Sequence, residues 1–157
     1  MSTASPLLAA WQRLSGLPGG KWTLSRFVCF KAPYFASIRP TIEALRPGRC
    51  EVSMTKRRAV TNHIGTVHAI AMCNLVELAG GSVTDVSIPA SHRWIPKGMT
   101  VEYRAKAETD LRAVAELEPL PKPEGGAELI VPVTVYDSDD AVVLAAAITM
   151  WLSPKKT

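Results

Sequence analysis

Thr66-Val67-His68-Ala69-Ile70-Ala71-Met72-Cys73-Asn74-Leu75-Val76-Glu77-Leu78-Ala79-Gly80-Gly81 is the stretch on which the fold turns. Its apolar members point in nearly every direction of a helical projection, and a helix that is apolar all round is buried on all sides. Thr66 is placed to cap the start, which leaves the amides of residues 68–70 unpaired in the first turn. Gly80-Gly81 supplies the stop. One carboxylate interrupts the run. Glu77 sits among Leu75, Val76, Leu78 and Ala79, where burial is costly without compensation and makes a carboxylate a better base near neutral pH. The other reading of Glu77 is a helix-end glutamate that reaches solvent or pairs with an arginine.

Working outward, the flanks read as strands. Residues 39–46 and the alternating Cys50, Val52 and Met54 form a hairpin about Arg46-Pro47-Gly48. After the helix comes a loop of about ten residues containing Pro89. Met99, Val101, Tyr103, Ala105 and Ala107 then alternate with polar residues, and Leu111, Ala113, Ala115 and Leu117 repeat the pattern. Two more strands, 128–136 and 142–152, are joined by Asp137-Ser138-Asp139-Asp140. Pro132 requires a bulge or an edge position, because it cannot donate to a ladder. Towards the N-terminus, Leu7, Leu8, Trp11 and Leu14 recur at helical spacing before Pro18-Gly19-Gly20, and Leu24, Phe27, Val28 and Lys31 repeat it before Pro33. The expected organisation is an N-terminal helical extension, 1–31, and a main domain, 32–157, of α+β class, with an antiparallel sheet around one long helix.

Composition sets bounds on function. A chain of 157 residues, 47% apolar and 20% charged, suits one domain with a real core. No run approaches the ~20 apolar residues of a membrane span, and no secretory signal is expected, because Trp11, Gln12 and Arg13 break the N-terminal apolar stretch. Cys29, Cys50 and Cys73 are scattered, as expected of reduced core thiols in a cytoplasmic protein. The net charge of +4 includes clusters at Lys56-Arg57-Arg58, Arg93 to Lys97 and Lys155-Lys156, which suit a phosphate-bearing partner or a solvated face. Basic residues without interleaved aromatics argue against nucleic acid.

Several chemistries are absent from the pattern. There is no GxSxG elbow, and Cys73 lies in an apolar helix, where thiols are inert. His63, His68, His92 and Glu77 supply metal-ligand types, but the His63–His68 interval is five and not the helical four, so no metal site is expected. His68 and Glu77 are nine residues apart, which places them on opposite helix faces about 13 Å apart along the axis. They cooperate only if a second, antiparallel copy brings one helix start to the other glutamate, giving a composite site across a two-fold axis.

Asn62, Gly65, His68 and Glu77 resemble the signature of hotdog-fold thioesterases of the phenylacetyl-CoA and 4-hydroxybenzoyl-CoA hydrolase type. That signature has an Asn, a His six residues later and an acidic residue nine further on, intervals that this chain reproduces. The wording of residues 60–69 is similar to an uncharacterised hotdog branch. The resemblance implies a hotdog fold in a homodimer or homotetramer. It also implies an acyl-CoA thioesterase in which Glu77 is base or nucleophile and His68 and Asn62 orient the carbonyl and the attacking water. Gly65 and the amides of Ala69 and Ile70 would line the oxyanion position. Coenzyme A enters as part of the substrate, with no separate cofactor, and Arg57, Arg58, Arg93 and Lys97 are the candidates for its phosphates. Ala69 and Ile70 replace the two glycines that follow the family's histidine, and Ile70 narrows the approach of the acyl group. The alternative is a non-catalytic hotdog module that binds an acyl or aromatic ligand. A dehydratase-like hotdog would need a differently placed Asp/His pair.

Overall fold

The computed structural model describes residues 5–156. Two helices, α1 (Pro6–Leu14) and α2 (Gly20–Lys31), precede a 3-10 turn at Pro33–Ile38. The hairpin β1 (Thr41–Arg46) and β2 (Arg49–Met54) follows, then the long helix α3 (Ala69–Ser87). Four strands complete the chain: β3 (His92–Tyr103), β4 (Leu111–Glu116), β5 (Ala127–Tyr136) and β6 (Val142–Pro154). All pairings are antiparallel, in the order β1-β2-β4-β5-β6-β3. The sheet wraps α3, as the hotdog resemblance implies.

The core forms where the apolar face of each strand meets α3. Val52, Ala113, Val133, Ile148 and Met150 close over Leu75, Val76, Ala79 and Val83, all of them buried. Contact at Gly80 and Gly81 is very close. A Cβ at Gly80 would stand 2.4 Å from Ile148 Cδ1, and one at Gly81 would stand 2.9 Å from Trp94 Cη2. The glycines therefore do not stop the helix. They let it lie against the sheet, and α3 continues six residues beyond them to Ser87.

Other expectations also shift. The cap is His68 and not Thr66, which is buried in the preceding loop. The helix is not buried all round: Ile70 and Glu77 are exposed and Cys73 is half-buried, so one stripe of α3 lacks cover. At 19 residues with mean hydropathy 1.2, α3 does have the length and composition of a membrane span, but 67% of it is buried inside the protein. The strand expected over 99–107 begins earlier, at His92, and ends at Tyr103. Pro96 is tolerated there because β3 is a sheet edge with a register shift between Pro96 and Gly98. Pro132 lies on an interior strand, yet the β4–β5 ladder stops at the Ala115–Val133 pair, one residue short of it. The proline thus has an unpaired side.

Side-chain bonds anchor the N-terminal helices. Ser25 Oγ accepts from the Ile42 amide at 2.8 Å and donates to the Lys21 carbonyl at 2.7 Å, tying α2 to β1. Asp85 accepts from Ser5 Oγ at 2.8 Å and from Trp94 Nε1 at 3.3 Å, tying the start of α1 and the edge strand to α3. Leu7, Leu8, Trp11 and Val28 pack against the core.

The close approach at Gly80 is testable. Gly80→Val should lower unfolding free energy by about 1–3 kcal/mol through overpacking. Adding Ile148→Val, which removes the obstructing Cδ1, should return part of that loss in urea denaturation.

Candidate active site

The loop leading into α3 is organised by Asn62. Its Oδ1 accepts from the amides of Ile64 and Thr66, both at 3.1 Å, and its Nδ2 donates to Thr66 Oγ1 at 2.8 Å. The Asn62 amide donates to the Thr66 carbonyl at 2.9 Å, and the Gly65 amide donates to the Asn62 carbonyl at 3.1 Å. Closing so short a loop needs a left-handed residue, and Gly65 provides it at φ 79°. Asn62 and Gly65 thus build the loop that delivers His68 to the helix start.

His68 caps α3 through its ring, with Nδ1 accepting from the Ile70 amide at 3.0 Å. An accepting Nδ1 is lone-paired, so in the neutral ring the proton sits on Nε2 and is free to donate outward. The His68 amide donates to the Val60 carbonyl at 2.8 Å. Of the three amides expected to be free, two are therefore occupied. That of Ala69 has no partner among the described residues.

Glu77 lies on the exposed stripe and enters no ion pair among the described residues. It borders an open cavity of about 410 Å³ between α1, α2 and α3, whose walls include Leu7, Leu24, Val28, Phe35, Leu78 and Trp94. That size is within the roughly 300–1,000 Å³ of ligand sites. Asp85 stands at the same cavity two turns further along α3. His68 belongs to a different, smaller cavity of about 290 Å³, with Tyr34, Ser37, Thr61, Ile70 and Asn74. Within one chain, His68 and Glu77 do not share a pocket.

Asn74 was not visible as a site residue in the sequence. It is 5% exposed, its Nδ2 donates to Ser37 Oγ at 3.1 Å, and its buried Oδ1 has no partner among the described residues. The only hint in the sequence is a polar residue inside an apolar helix; its partner Ser37 lies 37 positions away. The 410 Å³ cavity was equally hidden, because α1 and α2 build half of it.

The four cations do not form one patch. Arg57 donates to the Ser37 carbonyl and is half-buried, while Arg58 is exposed nearby on a 3-10 turn. Arg93 donates to Ser153 Oγ at 3.1 Å, and Lys97 is held by Glu128 at 2.5 Å over the Trp151 ring, both on the far edge strand. Among the thiols, burial pushes Cys50 up to about 12, as befits an inert core cysteine. Cys73, expected in the core, instead sits on the exposed stripe 3.8 Å from the Tyr103 hydroxyl. That contact, ahead of burial, raises the Tyr103 pKa above its ordinary value.

Comparison with known proteins bears on this arrangement. The model of the domain of unknown function DUF4442 matches residues 20–152, which include α2. A crystal structure labelled genomics APC5556 is 50% identical, covering 95% of this chain and 99% of its own, with a TM-score of 0.84. A Pseudomonas aeruginosa protein of unknown function, PA5026, described as a probable thioesterase, is 28% identical over 88% of this chain and 97% of its own, with a TM-score of 0.76. A thioesterase family protein from Silicibacter pomeroyi shares the fold at 20% identity, covering 83% of this chain and 96% of its own, with a TM-score of 0.71. No curated protein matches the chain. The hotdog architecture is thus common to this chain and these structures.

Asn62→Ala removes three side-chain hydrogen bonds at once. It should lower stability by about 1–3 kcal/mol in urea denaturation, as expected when bonded groups lose their partner.

Proposed function

We propose, for a chain that belongs to the DUF4442 family, that it is an acyl-CoA thioesterase whose sites lie at the interface of a homodimer and use Glu77. The observation that carries this reading is a carboxylate, Glu77, with no ion-pair partner among the described residues, at the wall of a largely apolar 410 Å³ cavity. The probable-thioesterase description of the 28%-identical P. aeruginosa protein supports it.

The acyl group occupies the cavity beneath α1 and α2. From Glu77 to Asp85 is eight residues of helix, about 12 Å. That accommodates an extended chain of roughly ten carbons, since each bond of a zigzag chain advances ~1.25 Å along its axis. Glu77 takes a proton from water, the resulting hydroxide adds to the thioester carbonyl carbon, and the tetrahedral oxyanion collapses with loss of thiolate. The thiolate receives the proton held by Glu77, so the products are a carboxylic acid and coenzyme A. The oxyanion is met by the Ala69 amide and the Nε2–H of His68 from the partner's helix start, where the helix dipole adds to both. Arg58 and Arg93 face solvent and suit the phosphates of coenzyme A, whereas Lys97 is already paired.

The need for a second copy has its own support. Strand β3 is an unpaired edge of 12 residues. Tyr103 reaches Cys73 of α3, so by the period-two rule Met99 also faces the helix side, yet both are exposed. With Ile70 they form an uncovered apolar strip beside Glu77. A second copy paired along β3 covers this strip and removes the open edge.

The test is hydrolysis of short, long and aromatic acyl-CoAs by wild type and Glu77→Gln. The variant is expected to lose about 10²–10⁴-fold in kcat while its fold and oligomeric state are retained. Equal rates would remove Glu77 from the mechanism. Saturable binding without turnover would favour a module that holds an acyl or aromatic ligand, a reading consistent with Ile70 at the position where the resembling enzymes have glycine.

A further inference from the structure

The solvent face of α2 does not match its charge-neutral surroundings. Residues 1–42 hold five of the chain's 18 basic residues (Arg13, Lys21, Arg26, Lys31 and Arg39) and none of its 14 acidic ones. The remainder holds 13 basic against 14 acidic, so the whole net charge of +4 comes from this segment. Large apolar side chains are exposed in the same segment: Phe30 by 78%, Tyr34 by 70%, Trp22 by 61%, Leu17 by 57% and Phe27 by 54%.

These side chains do not form a core stripe turned outward by chance. At ~100° per residue, Trp22, Phe30 and Phe27 fall within about 140° of one another on α2. Leu24 and Ser25, which are buried, occupy the opposite side. Lys31 lies 5.6 Å from the Phe27 ring, at the edge of the aromatic face. Among the described residues, Arg13, Lys31 and Arg39 pair with no carboxylate. Exposed aromatic side chains with a cation at their edge, in a net-basic segment, match the interface of an anionic bilayer, where rings enter the headgroup level and cations meet lipid phosphates.

We propose that α2 docks the protein peripherally on an anionic membrane surface through Trp22, Phe27, Phe30 and Tyr34. Two alternative occupants fit less well. A second copy related by a two-fold axis would bring this net-basic segment against itself, with like charges repelling. Contrary to the sequence expectation, exposed aromatics and basic residues do interleave on α2, but a single-stranded nucleic acid is held in a groove that tracks its backbone, and this face is the convex side of a helix. The docking is independent of the thioesterase reading. It has one consequence for that reading, because Phe27 and Lys31 also border the 410 Å³ cavity, whose α2 wall would then adjoin the lipid.

The experiment is co-sedimentation of the full chain with phosphatidylcholine vesicles, with and without phosphatidylglycerol, at low and high salt. Trp22→Ser/Phe30→Ser is run alongside; neither residue borders the cavity or packs in the core. Wild type is expected to sediment with the anionic vesicles at least tenfold more strongly than with the neutral ones. High salt should weaken this, since each cation near such a surface contributes about fivefold. The double variant should lose at least tenfold, with an unchanged melting curve and oligomeric state. No preference for anionic vesicles by wild type would overturn the proposal whatever the variant does. So would equal sedimentation of the variant, a change in its oligomeric state, or tighter retention of a single-stranded oligonucleotide that the variant loses.

Discussion

The rest of the structure depends on how closely α3 lies against the sheet at Gly80 and Gly81. With no Cβ at either position, Ile148 and Trp94 occupy the space that side chains would fill. Trp94 is in turn held by Asp85, the residue that also secures the start of α1 through Ser5. One contact therefore sets the depth of the helix in the sheet, the position of edge strand β3 and the seat of the N-terminal helices. Gly80 and Gly81 lie three and four residues beyond Glu77 and so share its side of α3, where Ile148 and Trp94 cover the later turns while Ile70, Cys73 and Glu77 on the earlier turns are left open. The candidate site lies where that cover ends.

Much of this was legible in the residue pattern, and the exceptions have physical causes. The all-apolar run announced a core helix, period-two alternation announced β2 and β4, and the turn at residues 137–140 marked the strands on either side of it. Gly80-Gly81 misled because glycine as a stop is a local signal, and here tertiary packing overrides it. Thr66 looked like a cap because hydroxyls usually serve, but Asn62 claims its hydroxyl and amide for the loop and the cap passes to a histidine ring. The first half of β3 was hidden by Pro96, which only an edge position tolerates.

The site divides along the same line. The interval from Asn62 to His68 to Glu77 is local information, and it places the three residues on one loop and the helix that follows it. What each residue touches is not local. Asn62 spends its amide on its own loop, His68 spends Nδ1 on the Ile70 amide, and Asn74 meets a serine from the segment before β1. The cavity wall contributed by α1 and α2 comes from a segment that pattern alone marks only as helical.

The central claim is that Glu77 of one chain works with the helix start of another, since His68 and Glu77 border separate cavities within a chain. The most direct measurement is the thioesterase activity of a purified heterodimer made by co-expressing differently tagged Glu77→Gln and His68→Ala chains. Each parent homodimer lacks a complete site, whereas the heterodimer retains one intact site of two, so about half of wild-type activity is predicted. A heterodimer as inactive as its parents would mean that both residues act from the same chain, and would contradict the account.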